Sequence, residues 1–244
     1  MKTTAAILSL ASAALAAEQI VGGQEGRIED FPYQIALLSN GRLICGGSII
    51  SNQYVVTAAH CTDGASASSL SIRAGSSSAS SGGTVVQVSA IAQNPDYDAA
   101  STNNDISVLT LAEELTFGSG IAAVDLATAD PSAGSIATTS GWGALSEGGS
   151  VSSTLQYVDI PIVSNSECSS AYSGFNEITD AMICAGEEEG GEDACQGDSG
   201  GPLVADGTLV GVVSWGNGCA RPGYPGVYSS VAYLRDFVTS VTGL

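Results

Sequence analysis

The segment Gly197-Asp198-Ser199-Gly200-Gly201-Pro202 sets one hydroxyl among glycines. With no side chains beside it, a substrate carbonyl can approach the backbone closely there, so Ser199 reads as a nucleophile site. An ordinary Gly/Ser turn shares part of this pattern; the full hexapeptide is far more specific. A serine hydroxyl is unreactive at its own pKa and needs a base within hydrogen-bond reach. The chain has a single imidazole, His60, in Thr57-Ala58-Ala59-His60-Cys61, and histidine is the side chain whose unperturbed pKa lies near neutrality. A base works repeatedly only if its tautomer is fixed by a carboxylate facing the other ring nitrogen. Asn104-Asp105-Ile106-Ser107-Val108-Leu109 offers Asp105 at the start of a strand. Each of the three residues alone has a bland structural reading, and together they converge on acyl transfer.

Around this constellation the chain runs to 244 residues, 44% hydrophobic, enough to bury a core. Six Lys and Arg stand against 25 Asp and Glu, for a net charge of −19. That field repels phosphate backbones and anionic lipid, so neither nucleic acid nor a membrane surface is an expected partner. With 31 glycines and only 13% charged residues, the composition predicts many turns between short strands, an all-β sandwich or barrel class. Strand-like runs fall at Tyr54–Ala59, Thr84–Val88, Ile106–Leu111, Leu155–Val163 and Thr208–Trp215. The uncharged Ser/Gly-rich stretch Gly75–Gly83 predicts a surface loop. Near the C-terminus Val231, Leu234, Phe237, Val238 and Val241 share one helical face, predicting a single terminal helix packed on the β core.

Residues 1–17 differ from the rest. Lys2 precedes the apolar run Ala5 to Ala14, and Ala14-Leu15-Ala16 is a small-residue cleavage pattern, which predicts a secretory signal. As a helix, Ala5 to Ala17 would reach about 20 Å, short of the ~30 Å hydrocarbon core. A soluble, extracellular mature product is expected. In an oxidising compartment the even set Cys45, Cys61, Cys168, Cys184, Cys195 and Cys219 reads as three disulfides, whose connectivity spacing alone leaves open. A zinc site is the competing reading, disfavoured because the chain lacks a C-x2-C pair and has one histidine.

TAAHC at 57–61, NNDISVL at 103–109 and GDSGGP at 197–202, in the order His, Asp, Ser, resemble the trypsin/chymotrypsin family of serine peptidases from Ile20 to Leu244. That chain order differs from those of other folds bearing the same triad. The segment Val213 to Pro222, with Gly226-Val227-Tyr228, is similar to secreted trypsins of filamentous fungi. The resemblance implies two six-stranded antiparallel barrels, split near residue 125, with the triad in the cleft between them and a C-terminal helix. It implies the pairs Cys45–Cys61, Cys168–Cys184 and Cys195–Cys219, an oxyanion hole from Gly197 and Ser199, and a monomer. It also places Asp193 at the base of a specificity pocket with Ala194, Ser214, Trp215, Gly216 and Gly226 around it. Cleavage after Arg or Lys of protein and peptide substrates follows. Many trypsins have serine where this chain has Ala194, so arginine is expected to be preferred.

The same resemblance makes residues 18–19 a short activation propeptide. Cleavage at Gln19–Ile20 frees an ammonium on Ile20 that pairs with Asp198, and Gln19 in place of a basic residue points to a separate activating peptidase. Protein inhibitors are expected partners. No cofactor is expected, and no calcium in the 64–95 stretch, which lacks Asp and Glu. Beyond the leader the chain has no lysine, only Arg27, Arg42, Arg73, Arg221 and Arg235, which predicts resistance to self-cleavage. The rival readings are a chymotrypsin- or elastase-like specificity, opposed by Asp193, and a catalytically silent binding protein on the same scaffold, opposed by the intact triad.

Overall fold

The computed structural model describes residues 20–244; the expected leader at 1–17 and propeptide at 18–19 lie outside the described residues. A two-residue strand β1 (Gln24–Glu25) precedes the first barrel, which takes β2 (Gln34–Ser39), β3 (Arg42–Ile49), β4 (Tyr54–Thr57), β5 (Leu70–Ala74), β6 (Thr84–Gln93) and β7 (Ser107–Leu111). These close antiparallel in the order β2-β3-β4-β7-β6-β5, with β2 paired to β3 on one side and β5 on the other. Period-two patterning explains the closure. In β5, Leu70, Ile72 and Ala74 are buried while Ser71 and Arg73 are less so, and the inward set joins Ile35, Leu37, Val55, Val108 and Leu109 in one fully buried core.

The chain reaches the second barrel through β8 (Asp125–Leu126). It then forms β9 (Ile136–Gly141), β10 (Gln156–Val163), β11 (Met182–Ala185), β12 (Pro202–Ala205), β13 (Thr208–Trp215) and β14 (Gly226–Ser230). The order β10-β11-β14-β13-β12-β9 is closed by pairing of β9 with β10. The short strands lie outside this ring, β1 antiparallel on β10 and β8 parallel on β13. The two-barrel expectation therefore holds.

Among the described residues two α-helices and one short 3-10 turn (Ala67–Ser69) accompany the barrels, the expected terminal helix among them. The terminal helix α2 (Val231–Thr242) buries Val231, Leu234 and Val238, is capped by Ser230 Oγ accepting from the Tyr233 amide, and ends at Gly243, whose φ of 76° suits glycine. The other is α1 (Asn165–Ala171). Its apolar face is too short to show periodicity, yet its capping box is in the sequence: Ser164 Oγ accepts from the Glu167 amide and the Glu167 carboxylate accepts from the Ser164 amide.

The three disulfides are Cys45–Cys61, Cys168–Cys184 and Cys195–Cys219. Each is worth about 2–4 kcal/mol against a net stability of ~5–15 kcal/mol. The Gly75–Gly83 stretch is less of a surface loop than its composition suggests. Ala79 is buried, Ser77 Oγ accepts from the Ile28 amide at 2.9 Å, and the Ser77 carbonyl accepts from Trp142 Nε1 at 2.9 Å and the Leu155 amide at 2.8 Å. The Ser77 hydroxyl thus satisfies an amide ahead of the first barrel, and its carbonyl an indole and an amide on the side of the second. Nearby, buried Ser140 Oγ donates to Gln34 Oε1 at 2.7 Å, so β9 and β2 also join the barrels.

Candidate active site

The chain around Ser199 is shaped by its glycines. Gly197 has φ 102° and Gly200 φ 78°, both in the left-handed region. A Cβ at Gly200 would come 2.2 Å from Thr57 Oγ1 and 2.8 Å from the Gly46 carbonyl oxygen, both in the first barrel. Gly46 itself donates its amide to the Ser199 carbonyl at 2.7 Å, and a Cβ there would meet Gly201 Cα at 2.9 Å. The backbones of the two barrels thus meet at the serine.

Within this turn the amides of Asp198, Gly200 and Gly201 donate to the carbonyls of Cys195, Val213 and Asp198. Those of Gly197 and Ser199 donate to no group among the described residues. Two unused N–H groups on partly exposed residues beside a hydroxyl, in a turn whose other amides are used, are free to receive a hydrogen-bond acceptor.

His60 follows β4, with Cys61 tied to Cys45 on β3. Its ring Nδ1 lies 2.7 Å from Asp105 Oδ2 and its backbone amide donates to Asp105 Oδ1 at 2.8 Å. Because a carboxylate only accepts, Nδ1 is the donor in this bond, and Nε2 makes no hydrogen bond among the described residues. Asp105 is fully buried, and Oδ2 also accepts from Ser214 Oγ at 2.6 Å. Three donors offset the burial of that charge. Among the described residues no hydrogen bond joins Ser199 Oγ to the ring.

Ser199 and Ser214 share a cavity of about 160 Å³ with Asp193, Ala194, Trp215, Gly216 and Gly226, so the predicted pocket residues come together. Asp193 is 5% exposed. Its Oδ2 accepts from the Ala220 amide at 3.0 Å, and its buried Oδ1 has no partner among the described residues. Burial, outweighing hydrogen bonds from the Ala220 and Ala194 amides, pushes its carboxyl up to about 7. A Cβ on Gly226 would stand 2.6 Å from Oδ1, whereas one on Gly216 would make only ordinary contacts, the closest at 3.5 Å. Gly226 therefore spares the floor of the pocket, and Gly216 keeps its wall open. Upstream, Glu187, Glu188 and Glu189 are exposed, and the chain turns inward only at Asp193.

Asp198 is held by backbone amides. It is fully buried, with Oδ1 accepting from the Gly143 amide at 2.7 Å and Oδ2 from the Cys195 amide at 3.0 Å. Burial, against those two bonds, pushes its carboxyl up to about 6. Ile20 is fully buried in the second-barrel core.

Sequence reasoning missed Gly141 and Gly143, where a Cβ would come 2.2 Å from Asp198 Oδ1 and Oδ2 respectively. It also missed Tyr172, whose hydroxyl donates to the Pro225 carbonyl at 2.7 Å and accepts from the Asn217 amide at 3.3 Å, bracing the pocket wall. The pair of glycines around Trp142 was a usable signal; nothing local marks Tyr172.

A buried carboxyl bonded to a partly exposed imidazole, a serine with two free amides and an acid-floored recess, set between two β-barrels, fit a hydrolase with a serine nucleophile. Comparison with known proteins narrows the class. A family model described as Trypsin matches residues 20–238. Trypsin alpha of Drosophila erecta is 53% identical over 224 residues, covering 91% of this chain and 87% of that protein. Trypsin alpha of Drosophila melanogaster is 52% identical over 224 residues, with the same coverage. Trypsin alpha-4 of Lucilia cuprina is 49% identical over 223 residues, covering 91% and 87%. The chain belongs to the trypsin family and is a trypsin-like serine endopeptidase acting on protein substrates. These relatives are insect trypsins, so the narrower likeness to fungal trypsins gains no support from them.

Proposed function

We propose that the chain is a secreted endopeptidase that cleaves after arginine in preference to lysine, with Ser199 as nucleophile, His60 as base and Asp105 as its orienting carboxylate. In this reading Ser199 Oγ attacks the scissile carbonyl carbon while His60 Nε2 takes the hydroxyl proton. Asp105 holds Nδ1–H and stabilises the imidazolium. The amides of Gly197 and Ser199 receive the developing oxyanion, where loss of one such donor typically costs on the order of 10²–10³ in rate. His60 passes its proton to the departing amine, and water then hydrolyses the acyl ester on Ser199.

The unpartnered Oδ1 of Asp193, facing a recess that opens past Ser199, carries the specificity. Guanidinium offers a planar pair of donors to such a carboxylate. Ala194 supplies no hydroxyl to help solvate the compact ammonium of lysine, which supports the arginine preference. A peptide library digested by the mature chain tests this. Cuts after arginine should dominate, with matched arginyl substrates showing the higher kcat/KM; equal or inverted values, or cuts after apolar residues, overturn it.

Activation would follow cleavage at Gln19–Ile20 by another peptidase, since Gln19 does not fit an acid-floored pocket. The buried Asp198 lacks a cationic partner among the described residues, and an ammonium on Ile20 would supply one. Secretion rests on the leader pattern at 1–17; no helix among the described residues is long and apolar enough to cross a membrane. Protein inhibitors presenting arginine or lysine fit the same recess. The fungal likeness rests on the segment Val213 to Pro222 with Gly226-Val227-Tyr228.

A further inference from the structure

We propose that Arg42–Leu43 is the one bond at which a mature copy of this enzyme cuts another, the remaining arginyl bonds being protected by the fold. The proposal rests on the arginine specificity argued above. The described chain has no lysine, so only the bonds after Arg27, Arg42, Arg73, Arg221 and Arg235 can be cut by such an enzyme.

Four of the guanidinium groups are already engaged. Arg73 donates to the carbonyls of Ala79 and Gly82, from the middle of β5, which is paired on both sides. Arg235 donates to the Leu126 carbonyl at 2.6 Å from within α2. Arg221 is held by Glu147 and Asn217, and its scissile bond leads to Pro222, whose ring fixes the backbone on the leaving side. Arg27 pairs with Asp30, and the following Ile28 is anchored by its buried side chain and its amide bond to Ser77 Oγ.

Arg42 differs in its guanidinium and in its strand pairing, while Leu43 packs, partly buried, against the cluster around Leu38. It is exposed, and its guanidinium makes no hydrogen bond or ion pair among the described residues. It follows the hairpin tip Asn40-Gly41, whose φ values are 49° and 77°. β3 pairs with β4 only at Ser48 and Ile49, so at Arg42 and Leu43 it is an edge joined to β2 alone. The pairing of β2 with β3 slips at Leu37/Leu38, just behind the tip. Freeing an extended stretch around Arg42 takes only local opening of that tip, whereas Arg73 and Arg235 are released only with a doubly paired strand or a helix.

Cleavage breaks the Arg42 carbonyl carbon–Leu43 nitrogen bond. Ser199 Oγ of one copy takes the acyl group of the other, Leu43 departs as an amine with the proton from Ser199, and water completes an Arg42 carboxylate and restores the hydroxyl. Residues 20–42 contain no cysteine. The cut thus leaves Ile20 and β2 attached to the rest of the molecule by noncovalent contacts alone.

The mature chain incubated with itself, followed by intact mass and N-terminal sequencing, should give one new terminus, Leu43. R42Q should slow loss of intact chain about tenfold or more, the contrast between local and wider opening, with arginyl ester turnover within about twofold of wild type. Early cuts at any other arginine, or an unchanged decay in R42Q, overturn the proposal. In parallel, the inert S199A chain is digested with an unrelated arginine-specific peptidase. First cutting at Arg42–Leu43 supports the exposure argument, and first cutting elsewhere overturns it. If that peptidase cuts at Arg42 but the wild type turns over no arginyl ester, the specificity reading fails instead; ester turnover without self-cutting refutes self-cleavage itself.

Discussion

Binding of an aryl amidine to the recess above Asp193 is expected to depend steeply on pH, and the size of the effect follows from the empty pocket. Burial holds the Asp193 carboxyl at about 7, with Oδ1 unpartnered. A cation pairs with the ionised form only. At pH 5 roughly 1% of the empty pocket is ionised, so affinity should be about 100-fold lower than well above pH 7, near 2.7 kcal/mol for two units. Calorimetry in buffers of different protonation enthalpy should show about one proton released per amidine bound at pH 5 and none at pH 9. Asp193→Asn should flatten the profile and weaken binding on the order of 10²–10³, because the guanidinium-like group then enters a buried site without its counter-charge. A flat profile from pH 5 to 8 in the wild type would mean the carboxyl is already ionised when the pocket is empty. Unchanged affinity in Asp193→Asn would remove this residue from recognition.

Ser199→Ala should lower kcat by on the order of 10⁶, measured on an arginyl ester; near-normal turnover would eliminate Ser199 as nucleophile. Gly226→Ala puts a methyl group 2.6 Å from Asp193 Oδ1, so KM for arginyl substrates should rise about tenfold or more with the fold intact by circular dichroism; an unaltered KM would refute the assigned floor. For Asp198, folding raises the carboxyl from 3.8 to about 6, so its contribution to stability is fully present below 3.8 and is lost as pH rises from there through about 6. In the uncut Ser199→Ala chain this should remove about 3 kcal/mol between about pH 3 and about pH 7. Denaturant titrations of uncut and Ile20-terminated forms should diverge there, because an ammonium partner reverses the sign, and parallel curves would exclude the pairing. Loss of the hydroxyl in Ser214→Ala, which donates to Asp105 Oδ2 at 2.6 Å, should lower kcat several-fold with little change in KM; a KM effect alone would assign Ser214 to the pocket and not to the triad.

The sequence by itself determined the parts with local signatures. His60, Asp105 and Ser199 lie in short motifs whose chemistry requires those residue types, and the period-three face of α2 and the runs at Tyr54 and Thr208 were readable from patterning. Strands such as β11 and β12, four residues each and buried throughout, carry no alternation, because both their faces are covered. The short helix α1 lay hidden for a related reason, its signal being a cap and not a stripe.

Only the tertiary structure decided what each carboxylate experiences. In composition Asp193 is one more acid in a run with Glu187 to Glu192, and nothing local distinguishes Asp198 from a solvated loop residue. Their raised pKa values come from distant segments closing over them, Gly141 and Gly143 around one and Ala220 and Gly226 around the other. Likewise the five arginines are equivalent as letters, and folding alone leaves Arg42 free while engaging the rest. Desolvation and neighbouring charge act through space over a few ångströms, and the chain order of residues does not encode which groups will stand that close.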